Sequence, residues 1–287
     1  VKYAWVEANR DVFSIVRMCR LLAVSRTGYC QWRQRPLSER AQANVILDAR
    51  VSEIHAASGR SYGRPRIERD LRNQGLLVGH ERVRQSLLRQ GLCPVYKRPY
   101  RVTTDSDHAH PIADNLLDRR FDGWQCNQAW VGDITYVSTA EGWLYLAVIL
   151  DLASRRVVGW SMSERMQATL VCDALRFAYW QRKPAAGLIM HTDRGSQYAG
   201  KQHRKLLKDF QMTQSMSRKG NCWDNAPSES FFKTLKVERI YQNQYDTRAE
   251  ARLDIVDYIE GFYNRQRFHS SIGYLTPVSA ESSLAAA

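Results

Sequence analysis

Three acidic residues stand where a carboxylate needs a reason to be. Asp133 lies within the alternating stretch WVGDITYVST, Asp193 closely follows the apolar run LIMH, and Glu229 opens a helical pattern after NCWDNAP. The first two read as charges at strand ends. A partly buried, unpaired charge is costly, and chelation of a hard cation removes that cost, because Mg²⁺ takes carboxylate oxygens and few soft ligands. Three such groups can hold two ions about 4 Å apart, the arrangement that performs phosphoryl transfer. One ion activates a water or a 3′-hydroxyl, and the other steadies the leaving oxygen. On this reading Asp133, Asp193 and Glu229 are both metal ligands and catalytic residues, and they should converge on one exposed pocket. Asp133 would bridge the ions. Two Mg²⁺ per site are expected, with Mn²⁺ as the alternative.

The helix beginning near Glu229 adds to this. At about 100° per residue, Glu229, Lys233 and Lys236 fall within roughly 60° of one another, with Phe231 and Leu235 on the opposite side. That face offers a carboxylate for metal and two ammonium groups for phosphate. It reads equally as an amphipathic surface helix with a Glu229–Lys233 pair. His191 and Arg194 flank Asp193 and are supporting or DNA-contacting candidates, His191 alternatively being a packed core residue. Asp151 is either a supporting acid or a salt-bridge partner for Arg155 or Arg156. Asp224 and Asn225 suit capping or entry to the Glu229 helix. Trp223 is a wedge or stacking group, or a packing residue.

Elements must position these groups. Residues 130–139, 143–152 and 155–163 read as three strands on short turns, an antiparallel meander. The second is apolar on both faces and therefore interior. A helix over 165–181, a short strand GLIMHTD, a helix over 201–208 and a strand FQMTQSM follow, and two helices finish the chain. This is α/β, a mixed five-stranded sheet with flanking helices, in the order of a ribonuclease-H-like fold. Ahead of it, 14–22 and a stretch capped by Ser25 resemble a small helix-turn-helix, giving a helical segment over 1–40. Residues 41–93 form a three-helix module, its first helix carrying Val45, Ile46, Ala49 and Ile54, its second starting at Pro65 and its helices stopped by Gly75 and Gly91. Residues 94–128 read as a linker, and 129–287 as the core domain with its C-terminal helices.

Charge divides the chain the same way. Residues 1–101 hold 20 Lys+Arg against 8 Asp+Glu, a net +12 of the +13 total. A basic module joined to a nearly neutral one fits delivery of nucleic acid to a separate working domain. Arg82 and Arg84, on the third helix of the module, are the candidates for phosphate or guanine contact. The six cysteines are scattered and show no CxxC spacing, which argues against a zinc knuckle and for a reduced, cytoplasmic protein. No apolar run has membrane-spanning length.

Taken together, the motifs resemble a known family. WVGDITY, HTDRGSQY and NCWDNAPSESFFKTLK, with 35 residues between Asp193 and Glu229 and Lys236 seven residues after Glu229, resemble the DDE signature of IS3-family insertion-sequence transposases, second-frame product, and of the retroviral integrase core. YNRQRFHSSIGYLTP, SYGRPRIERDL, RVRQSLLRQGL and RMCRLLAVSRTGYCQW resemble further segments of the family. The resemblance implies Asp133, Asp193 and Glu229 as triad, and Lys236 with Lys233 at the element end. It implies terminal inverted repeats and target DNA as partners, synapsis by at least a dimer, and 3′-end transfer without a covalent protein–DNA intermediate. It also implies a first-frame helix-turn-helix partner, since this chain has no leucine-zipper heptads and begins at Val1, as a second-frame product or a fragment would. The rival expectations are a non-catalytic DNA-binding regulator and a simple metal-dependent endonuclease.

Overall fold

The computed structural model describes residues 1–95, 111–219 and 222–286. Most of the expected linker, at 96–110, lies outside the described residues, as do positions 220 and 221 before Glu229.

Two helical clusters come first. Helices α1 (Lys2–Ala8), α2 (Ile15–Leu21) and α3 (Arg26–Gln34) close around Val6, Met18, Cys19 and Tyr29. Ser25 caps α3, accepting from the Gly28 amide at 3.2 Å. Helices α4 (Glu39–Ala57), α5 (Arg64–Asn73) and α6 (His80–Arg89) pack through Leu47, Val51, Ile54, Ile67, Leu71, Val83 and Leu87. Pro65 sits in the first turn of α5, where its missing N–H costs nothing. Gly75 and Gly91 follow α5 and α6 with φ of +82° and +63°, the left-handed conformation that ends a helix at no Cβ cost. The inward face of α4 differs from the expected one. Val45 and Ile46 are exposed, and Leu47 and Val51 are buried with Ile54.

The second half is one five-stranded sheet. Its strands are β1 (Ala129–Thr139), β2 (Gly142–Asp151), β3 (Val157–Ser163), β4 (Ile189–Thr192) and β5 (Thr213–Met216), ordered β3-β2-β1-β4-β5. The first three pair antiparallel, whereas β1–β4 and β4–β5 are parallel. The mixed sheet expected from the sequence is therefore present. Helices α7 (Ala168–Arg182), α8 (Ser196–Ala199) and α9 (Lys201–Asp209) cover the face carrying Trp130, Ala147, Ile149 and Met190. Gly159 lets α7 approach β3, since a Cβ there would lie 2.5 Å from the Ala174 carbonyl oxygen. Helices α10 (Ala226–Glu238) and α11 (Arg248–Val256) cover the opposite face, on Val131, Leu146 and Val148. The helix expected over 247–263 runs on from α11 as a π-helical stretch, Asp257–Tyr263. An unanticipated helix α12 (Pro277–Ala285) follows.

The later part of the expected linker is built into this domain. Leu117 is fully buried in the core, and the Leu116 amide donates to Ser215 Oγ at 2.9 Å. Among the described residues no helix is long and apolar enough to cross a membrane. Cys19, Cys30, Cys93, Cys126 and Cys172 are free thiols.

Buried histidines give the fold a pH dependence. His203 is fully enclosed, its Nδ1 3.1 Å from the Tyr198 carbonyl, and burial holds its imidazole down at about 4. His269 is pushed down to about 2 by burial and by the neighbouring Arg267. Both stay neutral in the fold at a pH where histidine in the unfolded chain, pKa about 6.5, takes a proton. These two side chains then bind fewer protons in the fold than in the unfolded chain, so their contribution to stability is full above about pH 6.5 and is lost as pH falls toward 4 and below. Thermal melts are expected to show this loss, with His203→Gln flattening the profile. A wild-type melting temperature that does not change over that window would contradict the assignment.

Candidate active site

Asp133 is the fifth residue of β1 and sits mid-strand, where the sequence reading expected a strand end. Its position follows from register. Gly132 pairs with Thr192 across the parallel β1–β4 ladder, so the next residues, Asp133 and Asp193, fall side by side. Neighbouring strands lie about 4.8 Å apart, and alternation puts both side chains on the face of Val131 and His191. That face is covered by α10, whose first turn carries Glu229. The helix is anchored by Phe231, Phe232 and Leu235, all buried, with Phe231 edge-on to Tyr263 at 4.7 Å. Its entry is tied to β1 by the Asn225 side-chain amide, which donates to the Gly132 carbonyl at 3.2 Å. All three carboxylates thus come from elements locked to one another.

Their charges interact. Asp133 is held well above the usual carboxylate range, by burial first, then by Asp193 and Glu229, against a 2.8 Å hydrogen bond from the Ile134 amide and the pull of Lys236. Partial burial of its carboxyl raises Glu229 as well, although the residue as a whole is exposed. The Lys236 ammonium is lowered by burial and supported by Asp133, and its Nζ sits 5.0 Å from the centre of the Tyr136 ring. Lys233 is exposed on the same helix. Tyr198, absent from the sequence reading, is buried beside the aspartates, which raise its phenol further after burial.

A cation fits this set chemically. The groups are hard oxygens, two of them adjacent aspartates with a mutual repulsion that a divalent ion would remove. Buried Asn225 Oδ1 and Ser228 Oγ, at the start of α10, have no protein hydrogen-bond partner. As they stand, no three His, Cys, Asp or Glu side chains among the described residues are gathered tightly enough to hold an ion. Two surface hollows, about 490 and 200 Å³, lie elsewhere, and neither is lined by these carboxylates.

The other candidates separate. His191 is fully buried, with Nδ1 2.8 Å from Ser215 Oγ and Nε2 3.2 Å from Ser217 Oγ. Its ring is enclosed against β5 and its flank, as the packed-residue alternative expected. Arg194 bonds the Ser217 carbonyl through Nε at 2.5 Å. Asp151 fits neither reading made from the sequence. Its buried carboxylate accepts from the amides of Asn127, Ala153 and Ser154 at 2.6–3.0 Å and organises the β2–β3 turn. Asp224 is buried and bound by Arg218 and Arg119, each at 2.9 Å, which hold its carboxyl far below the usual range. Trp223, the residue before it, is 69 % exposed and lies outside the packed core. Arg82 and Arg84 are exposed on α6, with Arg84 3.0 Å from Glu81.

Comparison with known proteins identifies the family. The family described as integrase core domain matches residues 125–222, a second integrase core domain family matches 210–277, and an HTH-like domain family matches 41–100. The transposase InsF for insertion sequence IS3A of Escherichia coli (strain K12) is 44% identical over 283 residues, covering 98% of each chain. The insertion element IS600 uncharacterized 31 kDa protein of Shigella sonnei is 43% identical, over 91% of this chain and 96% of its own. Among solved structures, the catalytic core domain of BIV integrase is 19% identical with a TM-score of 0.41, covering 55% of this chain and 95% of its own. With 44% identity to InsF over nearly its whole length and an integrase core in its second half, the chain belongs to the IS3 family of insertion-sequence transposases.

Proposed function

We propose that the chain is a divalent-metal-dependent transposase that cuts and joins DNA strands at insertion-sequence ends. The observation that carries this is the β1–β4 register, which sets Asp133 beside Asp193 beneath the Glu229 helix. Bound Mg²⁺ or Mn²⁺ would activate the attacking hydroxyl and offset charge at the phosphorus. Asp133 holds the centre of the site, and Asp193 and Glu229 its two sides. Lys236, enclosed against Tyr136, is set to meet a phosphate close to the scissile bond. Lys233, further out, meets the flanking backbone. His191 supports the strand end bearing Asp193 from within, and Arg194 braces the loop at Ser217. The helical module at 41–93, with Arg82 and Arg84 outward, holds the duplex. The expected partners are terminal inverted repeats and target DNA, a second copy of the chain at synapsis, and a first-frame helix-turn-helix protein, all in the bacterial cytoplasm.

Trp223 extends the contact surface. Its neighbours Asp224 and Asn225 are buried and bonded to Arg119, Arg218 and Gly132, so the indole stands outward on a fixed turn. A base stacked on an aromatic group contributes about 1–3 kcal/mol. Trp223→Ala is expected to weaken affinity for end-containing DNA roughly tenfold or more, with Trp223→Phe partly restoring it. Equal affinity of the alanine variant in an anisotropy titration would remove Trp223 from the interface.

The function itself is tested by incubating the chain with labelled duplex ends and Mg²⁺. Strand-transfer products are expected. Nicks without joining would mark a hydrolytic nuclease, and binding without any metal-dependent cut would mark a regulator.

A further inference from the structure

The SYGRPR segment stood out in the sequence without a role. In the structure it is where the basic module meets the catalytic domain. Tyr62 is buried at 3 % exposure, and its hydroxyl is used twice. It donates to the Gln266 carbonyl at 2.9 Å and accepts from the Phe268 amide at 3.0 Å. The ring packs between Phe262 and Phe268, with centroids 6.4 and 5.8 Å away. Four residues on, in the first turn of α5, Arg66 donates through Nε to the Phe268 carbonyl at 3.0 Å and lies 3.6 Å from Glu238.

Glu238 is the hub of this junction. It takes both arms of Arg267, each at 2.8 Å, and the Tyr258 hydroxyl at 2.8 Å. The segment supplying Tyr258 and Phe262 is π-helical, a geometry that recurs at functional positions. Glu238 is also the last residue of α10, the helix that carries Glu229 and Lys236. Nine residues at 1.5 Å separate Glu229 from Glu238, about 13 Å along one rigid element. The side chains that fasten the DNA-holding module therefore attach to the far end of the helix that presents the third carboxylate.

We infer that Tyr62 and Arg66 are positioning residues: by clamping the helical module to Phe268 and Glu238, they set which phosphate of a module-bound duplex reaches Asp133, Asp193 and Glu229. A buried, charge-paired and doubly hydrogen-bonded contact is specific in geometry, and breaking it leaves Glu238 and Arg267 paired with each other in the core. The module then keeps its fold and its arginines but loses its fixed register. This inference rests on the strand-cleavage reading above.

The test uses the full chain, with Tyr62→Phe, Arg66→Met and the double variant. A labelled duplex from one terminus of the encoding element is cut in Mg²⁺ and the cut phosphates are mapped to the nucleotide. Wild type is expected to cut at one position. The variants are expected to bind the duplex within about twofold of wild type and to spread cutting over neighbouring phosphates. Their yield at the principal phosphate is expected to drop up to about a hundredfold, the scale set by misplacement of about 1 Å. A destabilised but otherwise innocent variant would lose binding and cutting together and keep one cut site, which would overturn the inference, as would wild-type position and yield. If Arg66→Met does not fold, the isosteric Tyr62→Phe decides. Small-angle scattering of the DNA-free protein reads the clamp without catalysis: the double variant should broaden the distribution of interatomic distances, and an unchanged profile overturns the clamp. A wild type that cuts nowhere overturns the cleavage reading, and scattering then decides the clamp separately.

Discussion

Asp193→Asn is expected to lower Mg²⁺-dependent cleavage and joining by about a thousandfold or more while leaving affinity for end DNA within about twofold. The size follows from the metal: even partners that only orient a metal ligand cost about 10–100-fold when removed, and Asp193 is assigned as a ligand itself. The substitution keeps shape. Asp193 Oδ1 accepts the Gly195 amide at 2.9 Å, and an asparagine carbonyl can accept the same bond. It also removes one of the two charges that raise Asp133, so the metal-free protein should melt no lower than wild type. Activity would be measured by strand-transfer assay, binding by anisotropy and folding by thermal melt. Wild-type activity in the folded variant would end the assignment of Asp193.

The second large effect concerns delivery. Removing the whole basic half is a poor experiment, because Phe262 and Phe268 of the core pack against it and would be uncovered. The module's arginines instead sort by structure. Arg66 serves the junction with the core, and Arg89 is bound to Asp48 at 2.6 Å. Arg72, Arg82 and Arg84 are exposed, with surface pairs to Glu68 and Glu81 and a long contact from Arg82 to Asn44 at 3.5 Å, and such surface contacts contribute little to stability. Changing these three to Gln should leave the fold intact and weaken DNA binding on the order of ten- to a hundredfold at low salt. The dependence of log affinity on log salt should become shallower by roughly 0.9 for each phosphate that the variant no longer neutralises. Unaltered affinity and slope would place the duplex on another surface.

The sequence made the sheet legible because its strands alternate or run apolar between short turns. The carboxylates were legible as charges lacking partners. Their convergence was expected, but the contact behind it was not legible, because the pairing of Gly132 with Thr192 is a long-range register that no local pattern encodes. His191 looked like a site residue from its neighbour Asp193, and only the serines of the next strand and its flank, Ser215 and Ser217, show it to be an interior hydrogen-bonding group. Tyr198 gave no signal at all, since a tyrosine after HTDRGSQ reads as any packed aromatic. Trp223 was the reverse, a large apolar residue left exposed next to the buried, ion-paired Asp224. Helix α1 was missed because its seven residues bury only Val6, too little for a readable period. The role of SYGRPR depends on contacts some 200 residues away, between Tyr62 or Arg66 and the segment at 266–268.

The central claim is that Asp133, Asp193 and Glu229 together hold the catalytic ions. Crystals of the full chain grown with end DNA and Mn²⁺ would locate those ions by anomalous scattering. The account requires manganese peaks bound by Asp133, with Asp193 and Glu229 completing the coordination around a DNA phosphate. Manganese bound elsewhere, with these three carboxylates left uncoordinated in the DNA complex, would contradict it.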